Sequence, residues 1–188
     1  DIATHDVRRI DRLVTEISEA SRIDAELSRA TFETVDLASL VTNIIGSREN
    51  RSENEGRSVL FDSEAGRFLV RGEPSRLERV ISNLLDNAVS FSPSDGAITI
   101  DLVRADNWIT MTVCDEGPGI PVERREQVFQ RFHSHRPQAE DFGNHSGLGL
   151  AIARAIAEAH DGTLLAEGRP DGRDGACLVL NLPALRDA

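Results

Sequence analysis

The segment from Ser75 to Pro93 carries the strongest helical pattern in the chain. At about 100° per residue, its apolar positions fall within a single arc of the helical wheel. These positions are Leu77, Val80, Ile81, Leu84, Ala88 and Phe91. Ser75 and Glu78 form the S-x-x-E pattern of a capping box, which predicts that the helix begins at Ser75. The pattern therefore predicts a helix that packs one face into a core.

Residues 1–30 show a second helical pattern, with two apolar stripes. One stripe contains Val7, Ile10, Val14, Ile17 and Ser21, and the other contains Leu13, Ala20 and Leu27. Because two stripes need at least two packing partners, we expect a long bundle-forming helix, most simply across a homodimer. The alternative is an amphipathic helix folded back on its own domain.

The rest of the chain alternates short strand-like runs with helical ones. Strands are predicted over 32–37, 59–61, 68–70, 98–102, 108–113, 163–166 and 177–180, and helices over 36–49, 123–132 and 146–160. Asp106 and Asn107 mark a hairpin turn. Residues 133–145 have no periodicity, and we expect them to form a mobile lid. The pattern predicts one domain over residues 31–188, preceded by the helix of residues 1–30.

Composition and charge narrow the possible functions. The net charge of −11 and the isoelectric point near 4.9 argue against a nucleic-acid surface, which is usually basic. No apolar run approaches the roughly 18 residues of a membrane span. Cys114 and Cys177 are too few for a disulfide framework, so we expect buried free thiols and a reducing compartment. The chain begins at Asp1, and we expect it to be a piece of a longer protein.

Two asparagines lie one helical turn apart, at the margin of the apolar face. Asn83 and Asn87 are unfavourable in the middle of a helix, because their side chains compete for backbone hydrogen bonds. Their amide oxygens could hold a hydrated magnesium ion that carries a nucleotide phosphate. The alternative is that both amides meet only neighbouring backbone or water.

Two glycine-bearing turns are the other candidates for ligand chemistry. Asp115 follows a strand-like run and precedes Gly117 and Gly119, which let backbone approach a ligand closely. The Gly-Leu-Gly-Leu run of residues 147–150 opens an alanine-rich helix, whose first N–H groups could receive a phosphate. Each pattern alone would also be explained by a tight turn.

The order of these motifs resembles the catalytic ATP-binding domain of sensor histidine kinases, in the superfamily shared with gyrase, Hsp90 and MutL. The resemblance covers residues 32–185, and residues 1–30 resemble the second helix of the dimerisation and phosphoacceptor hairpin. It implies an α+β fold, a two-layer α/β sandwich with a mixed sheet of about five strands and three main helices. The sequences of residues 5–27 and 87–93 are similar to those of sensor kinases of the alphaproteobacterial ChvG/ExoS/BvrS type.

The resemblance implies a role for each motif. Asn87 would ligate Mg2+ through its amide oxygen, with Asn83 as a helper. Asp115 would accept a hydrogen bond from the adenine amino group, which selects adenine over guanine. Phe91 would pack against adenine, and the backbone of residues 147–150 would hold the phosphates. The implied ATP-binding set is Asn83, Asn87, Phe91, Asp115, Gly117, Gly119, Ile120, Phe129, Arg131, Phe132, Gly147, Leu148, Gly149, Leu150 and Cys177.

Two positions depart from the family pattern. Many members have lysine where this chain has Ser90, so one phosphate contact is missing, and Cys177 takes the place of a threonine near adenine. We expect ATP binding to survive both changes. The basic side chains that could replace the lysine are Arg131, His133, His135 and Arg136.

The resemblance implies that the domain transfers the ATP γ-phosphate to a histidine for relay to an aspartate of a response-regulator receiver domain. His5 begins an acceptor-like His-Asp-Val-Arg run but lies only 27 positions before Phe32, which leaves room for one helix and not a hairpin. We therefore expect the acceptor upstream of Asp1, and the intact protein at the cytoplasmic face of the inner membrane through upstream segments. The alternatives are a non-catalytic nucleotide-binding or dimerisation scaffold and an ATP-hydrolysing clamp.

Overall fold

The computed structural model describes residues 31–131 and 147–185. The predicted helix of residues 1–30 with His5, the residue Phe132 and the predicted lid lie outside these ranges. The described elements are β1 (Glu33–Asp36), α1 (Leu37–Asn50), β2 (Ser58–Ser63), β3 (Leu69–Gly72), α2 (Pro74–Phe91), β4 (Ala97–Ala105), β5 (Trp108–Cys114), α3 (Gly149–Ala159), β6 (Thr163–Gly168) and β7 (Ala176–Pro183).

The main sheet has five strands in the order β2-β4-β5-β7-β6. β2 runs parallel to β4, and the other neighbours are antiparallel, so the sheet is mixed. β1 and β3 form a separate two-stranded antiparallel sheet. The predicted strands over residues 59–61 and 68–70 therefore belong to different sheets. The predicted hairpin at Asp106 and Asn107 is confirmed, since it connects β4 to β5.

One face of the main sheet packs against the helices. Strand residues alternate between the two faces. The core-facing side chains of the three central strands are Ile98, Ile100, Leu102, Ile109, Met111, Val113, Leu178, Leu180 and Leu182, each at most 2% exposed. The predicted two-layer sandwich with a mixed five-stranded sheet is therefore confirmed. No helix in the two described ranges is long and apolar enough to cross a membrane.

Helix α2 buries the face that its sequence predicts, except that Phe91 is only partly buried. The predicted capping box is wrong. The helix begins at Pro74, whose fixed φ suits the first helical position, and Glu73 is the N-cap residue. The Ser75 hydroxyl donates to Glu73 Oε1 at 2.6 Å, and Glu78 is exposed.

The predicted helix over residues 123–132 is also wrong for its described part, residues 123–131. Two short 3-10 turns, Val122–Arg124 and Gln127–Phe129, occupy this segment. Gln130 is extended, with φ −75° and ψ 143°, so the helical path ends once Phe129 has reached the core. Burial of Phe129 thus takes only a single turn.

The two cysteines form a disulfide, which corrects the expectation of free thiols. Cys114 and Cys177 are 63 positions apart in sequence but directly opposite each other on β5 and β7, with their Cα atoms 4.1 Å apart. Strand register between distant segments leaves no local signal, so spacing alone could not predict the pair. Both alternate with core residues, so the disulfide lies on the sheet face away from the helices.

His160 connects the end of α3 to the start of α2. Its side chain is buried, Nδ1 donates to the Ile156 carbonyl at 2.7 Å and Nε2 accepts the Glu73 N–H at 3.1 Å. The ring stacks on Phe32, with centroids 4.7 Å apart. Burial lowers the pKa of His160, and the charge of Arg76 lowers it further, whereas the bond to Ile156 acts in the opposite direction.

We predict that protonation of His160 destabilises the fold. Its folded-state pKa lies below the ordinary value of 6.5, so the unfolded state binds more protons. The stabilisation is complete above pH 6.5 and is lost as the pH falls from that value through the folded-state pKa. Between pH 7.5 and pH 5.5, the urea midpoint should fall more in the wild type than in His160→Gln, whose amide oxygen can accept the Glu73 N–H without titrating. Equal falls in the two proteins would contradict this assignment.

Candidate functional site

Asp115 follows the last residue of β5 and is 3% exposed. Its Oδ1 accepts the N–H groups of Gly117 at 2.8 Å and Ala176 at 3.2 Å. Oδ2 has no hydrogen bond to any residue that the structure describes. Burial raises the pKa of the carboxyl group, while the two backbone N–H groups and the charge of Arg169 lower it. The site therefore holds a buried carboxyl group with one oxygen free for a donor.

The turn after Asp115 packs against the end of α2. A Cβ on Gly117 would lie 2.8 Å from the Phe91 carbonyl oxygen and 2.9 Å from Asp115 Oδ1, so only glycine allows this approach. The Glu116 N–H also lies 3.4 Å from Ser92 Oγ. Gly119 has a positive φ of 76°, and Ile120 packs against the core. The structure thus brings together the predicted Asp115 turn and the predicted Phe91 region.

The first predicted asparagine joins α2 to the start of α3. Asn83 Nδ2 donates to the Gly149 carbonyl at 3.0 Å. Gly147 has a positive φ of 72°, and the buried Leu148 anchors the turn. Within the described ranges, no side chain caps the N-terminus of α3, and the first N–H groups of a helix are suited to receive an anion. The predicted Gly-Leu-Gly-Leu segment, completed by Leu150, therefore lies beside α2.

The second asparagine, Asn87, is partly exposed and makes no hydrogen bond within the described ranges. No group of three or more His, Cys, Asp or Glu in those ranges could hold a metal ion. Mg2+ usually takes only one or two protein ligands, together with water and substrate phosphates. An unpartnered amide oxygen fits that requirement, so Asn87 is suited to a magnesium ion that arrives with a nucleotide.

Of the residues predicted to bind ATP, Phe129 and Arg131 lie along α3. The Arg154 guanidinium lies 5.0 Å from the centroid of the buried Phe129 ring and pairs with Glu126 and Glu158. Phe129 and the exposed Arg131 line a groove beside α3. The structure therefore groups these two residues with the outer side of α3 rather than with the Asp115 turn.

Cys177 lies on the sheet face opposite the core, bonded to Cys114. The preceding residue, Ala176, is the one that contacts Asp115, through its N–H. Sequence reasoning missed Ala176 and Arg169, whose Nη1 donates to the Asp115 carbonyl at 3.2 Å. A backbone donor leaves no signal in residue type, and an arginine in a Gly-rich hairpin reads as an exposed turn residue.

The structure thus places a buried carboxyl group, a glycine turn and a helix start without a side-chain cap around one long helix. Residues 72–186 match the family described as histidine kinase-, DNA gyrase B- and HSP90-like ATPases, and the chain belongs to this family. The membership that the motifs predict is confirmed.

The relatives include several sensor kinases. The chain is 45% identical to the sensor protein ChvG of Rhizobium meliloti, over 98% of this chain and 34% of that protein. It is 35% identical to the signal transduction histidine-protein kinase AfsQ2 of Streptomyces coelicolor, over 97% of this chain and 32% of that protein. The solved mycobacterial sensor histidine kinase MprB superposes with a TM-score of 0.70 at 28% identity, covering 84% of this chain and all of that one. The chain thus spans about a third of the length of these curated relatives.

We predict that the two asparagines contribute differently to stability without nucleotide. Asn83→Ala should lower the free energy of unfolding by about 1 kcal/mol, because it removes the bond to Gly149. Asn87→Ala should change it by less than about 0.5 kcal/mol, because no described partner is lost. Urea unfolding of both variants measures the difference. Equal destabilisation would show that Asn87 has a structural partner.

Proposed function

We propose that this domain binds ATP with magnesium and transfers its γ-phosphate to a histidine in the upstream part of a longer protein, for relay to a response-regulator aspartate. The single observation that carries the proposal is the buried Asp115 carboxyl group with one free oxygen. The similarity to sensor kinases supports the histidine as the acceptor. We further propose that residues 1–30 mediate a homodimer, and that the intact protein lies at the cytoplasmic face of the inner membrane.

Adenine selection would come from Asp115. Its free Oδ2 can accept the adenine amino group, while Oδ1 stays held by Gly117 and Ala176. Guanine carries a carbonyl oxygen at that position, which would face the carboxylate oxygen with repulsion. Phe91, at the end of α2, would provide an aromatic surface for the base.

The phosphates would lie between α2 and the start of α3. Asn87 would hold the magnesium ion, which when bound neutralises phosphate charge, and the uncapped N–H groups of α3 would receive phosphate oxygens. Phosphoryl transfer depends mainly on positioning and charge neutralisation, so these residues need not form a covalent bond. Many family members have a lysine at the position of Ser90. Arg131 and the basic residues that follow it would supply the positive charge of that lysine.

The chemistry at Asn83 disfavours the hydrolysing clamp. The related hydrolases have a glutamate at this position to activate water, whereas an amide cannot take a proton. Asn83 also already donates to Gly149. Transfer to a histidine is therefore favoured over transfer to water.

We predict that Asp115→Asn reverses the choice of base. In the variant, the side-chain amide oxygen can still accept the Gly117 and Ala176 N–H groups. The amide N–H2 group then faces the ligand. ATP affinity, measured by calorimetry with magnesium, should fall at least roughly tenfold, and GTP affinity should rise. Asn87→Ala should remove the dependence of ATP affinity on magnesium. Unchanged ATP affinity in Asp115→Asn would refute the assigned adenine site.

The proposed transfer is tested by mixing this chain with a longer form of the protein that contains the upstream histidine and carries Asn87→Ala. Labelled γ-phosphate should appear on the longer form and not on this chain alone. ATP binding without transfer would contradict the kinase proposal and favour the scaffold. Rapid release of phosphate from ATP in the absence of an acceptor histidine would favour the hydrolysing clamp.

A further inference from the structure

Arg169 is partly buried although it lies in the hairpin between β6 and β7. Its side chain is 9% exposed. Nε and Nη2 donate to the two carboxylate oxygens of Asp171, at 3.2 and 2.9 Å. A two-point pair of this kind fixes the plane of the guanidinium group. The third nitrogen, Nη1, is thereby aimed at the end of β5.

Nη1 donates to the Asp115 carbonyl at 3.2 Å, where the ladder between β5 and β7 becomes irregular. The Asp115 N–H donates to the Ala176 carbonyl at 2.9 Å, as in a regular antiparallel pair. The Ala176 N–H, however, donates to the Asp115 side chain and not to its carbonyl. A Cβ on Gly175 would lie 2.1 Å from this carbonyl, so the hairpin closes tightly over it. Among the described residues, Arg169 is the donor that the carbonyl has in place of Ala176.

The carbonyl and the carboxyl group of Asp115 therefore compete for one donor, the Ala176 N–H. A buried carbonyl without a partner is unfavourable. Without Arg169, the carbonyl would compete for the Ala176 N–H, and the carboxyl group would be held by the Gly117 N–H alone. We propose that Arg169 is a positioning residue that holds the Asp115 carboxyl group in the orientation that reads adenine. This role rests on the proposed function of the site.

The charges around Asp115 add a second effect. The Arg169 guanidinium lowers the pKa of the Asp115 carboxyl group, against the burial that raises it. Glu116 is the other charged residue at this turn, and its Oε1 lies 4.0 Å from Arg169 Nη1. On the hairpin, Asp171 pairs with both Arg169 and Arg173. Removing the Arg169 charge should therefore raise the pKa of Asp115, so that protonation weakens ATP binding at a higher pH.

Arg169→Met tests the role, with Arg173→Met as the matched control. Both arginines pair with Asp171, but the Arg173 side chain is 70% exposed and its guanidinium donates to that carboxylate. Affinities for magnesium-ATP and magnesium-GTP are measured on the full chain between pH 5 and pH 8. Arg169→Met should weaken ATP binding roughly tenfold, narrow the preference for ATP and move the acid limb of the profile to higher pH. In Arg173→Met, the affinity for ATP and the preference for ATP over GTP should stay within about twofold of the wild type. The acid limb of the profile should not move.

Arg169→Lys separates charge from geometry. It keeps the positive charge but cannot contact Asp171 at two points and Asp115 at once. It should bind ATP more weakly than the wild type with the acid limb unmoved, and it provides the test if thermal unfolding shows that Arg169→Met does not fold. Wild-type affinity in Arg169→Lys, or identical behaviour of Arg169→Met and Arg173→Met, would overturn the positioning role. Failure of the wild-type chain to bind ATP would instead refute the proposed function.

Discussion

Burial of one face of α2 against the sheet is the constraint on which the rest of the structure depends. Leu77, Ile81, Leu84 and Leu85 are each at most 1% exposed. Because these side chains fix the rotation of the helix about its axis, they also fix where its polar residues point. A rotation of one residue, about 100°, would bury an amide without partners, which is unfavourable. The core therefore positions the candidate site directly.

The two asparagine side chains on α2, Asn83 and Asn87, differ in their contacts. Asn83 contacts the first carbonyl of α3 and joins the two helices. Asn87, one turn further along, has no partner within the described ranges and remains open to a ligand. The same residue type thus stabilises the site at one position and is suited to bind at the next, because α3 begins beside only one of them.

An acidic chain that binds a polyanion must concentrate positive potential locally. With a net charge of −11, the chain cannot attract a triphosphate through its overall field. The structure provides backbone N–H groups at the start of α3, and such donors carry no net charge. It also keeps acidic groups paired near the site, since Asp171 is held by two arginines. Local dipoles and a magnesium ion can then offset the repulsion.

The amino-acid sequence determined the elements that have a local cause. The apolar spacing of α2, the alternation in β4 and β5 and the glycines near Asp115 each leave a repeated or residue-specific signal. The start of α2 was misplaced because the fixed φ of Pro74 outweighed a cap involving Ser75. The helix over residues 123–132 was overestimated because burial of Phe129 needs only one turn.

Only the tertiary structure decided which distant groups meet. The disulfide between Cys114 and Cys177, the bond from Asn83 to Gly149 and the contact of Arg169 with Asp115 all depend on strand register or helix packing between segments far apart in sequence. Such contacts use backbone atoms or buried charges whose partners no local pattern encodes. Residue type therefore sets the available chemistry, and packing decides which atoms use it.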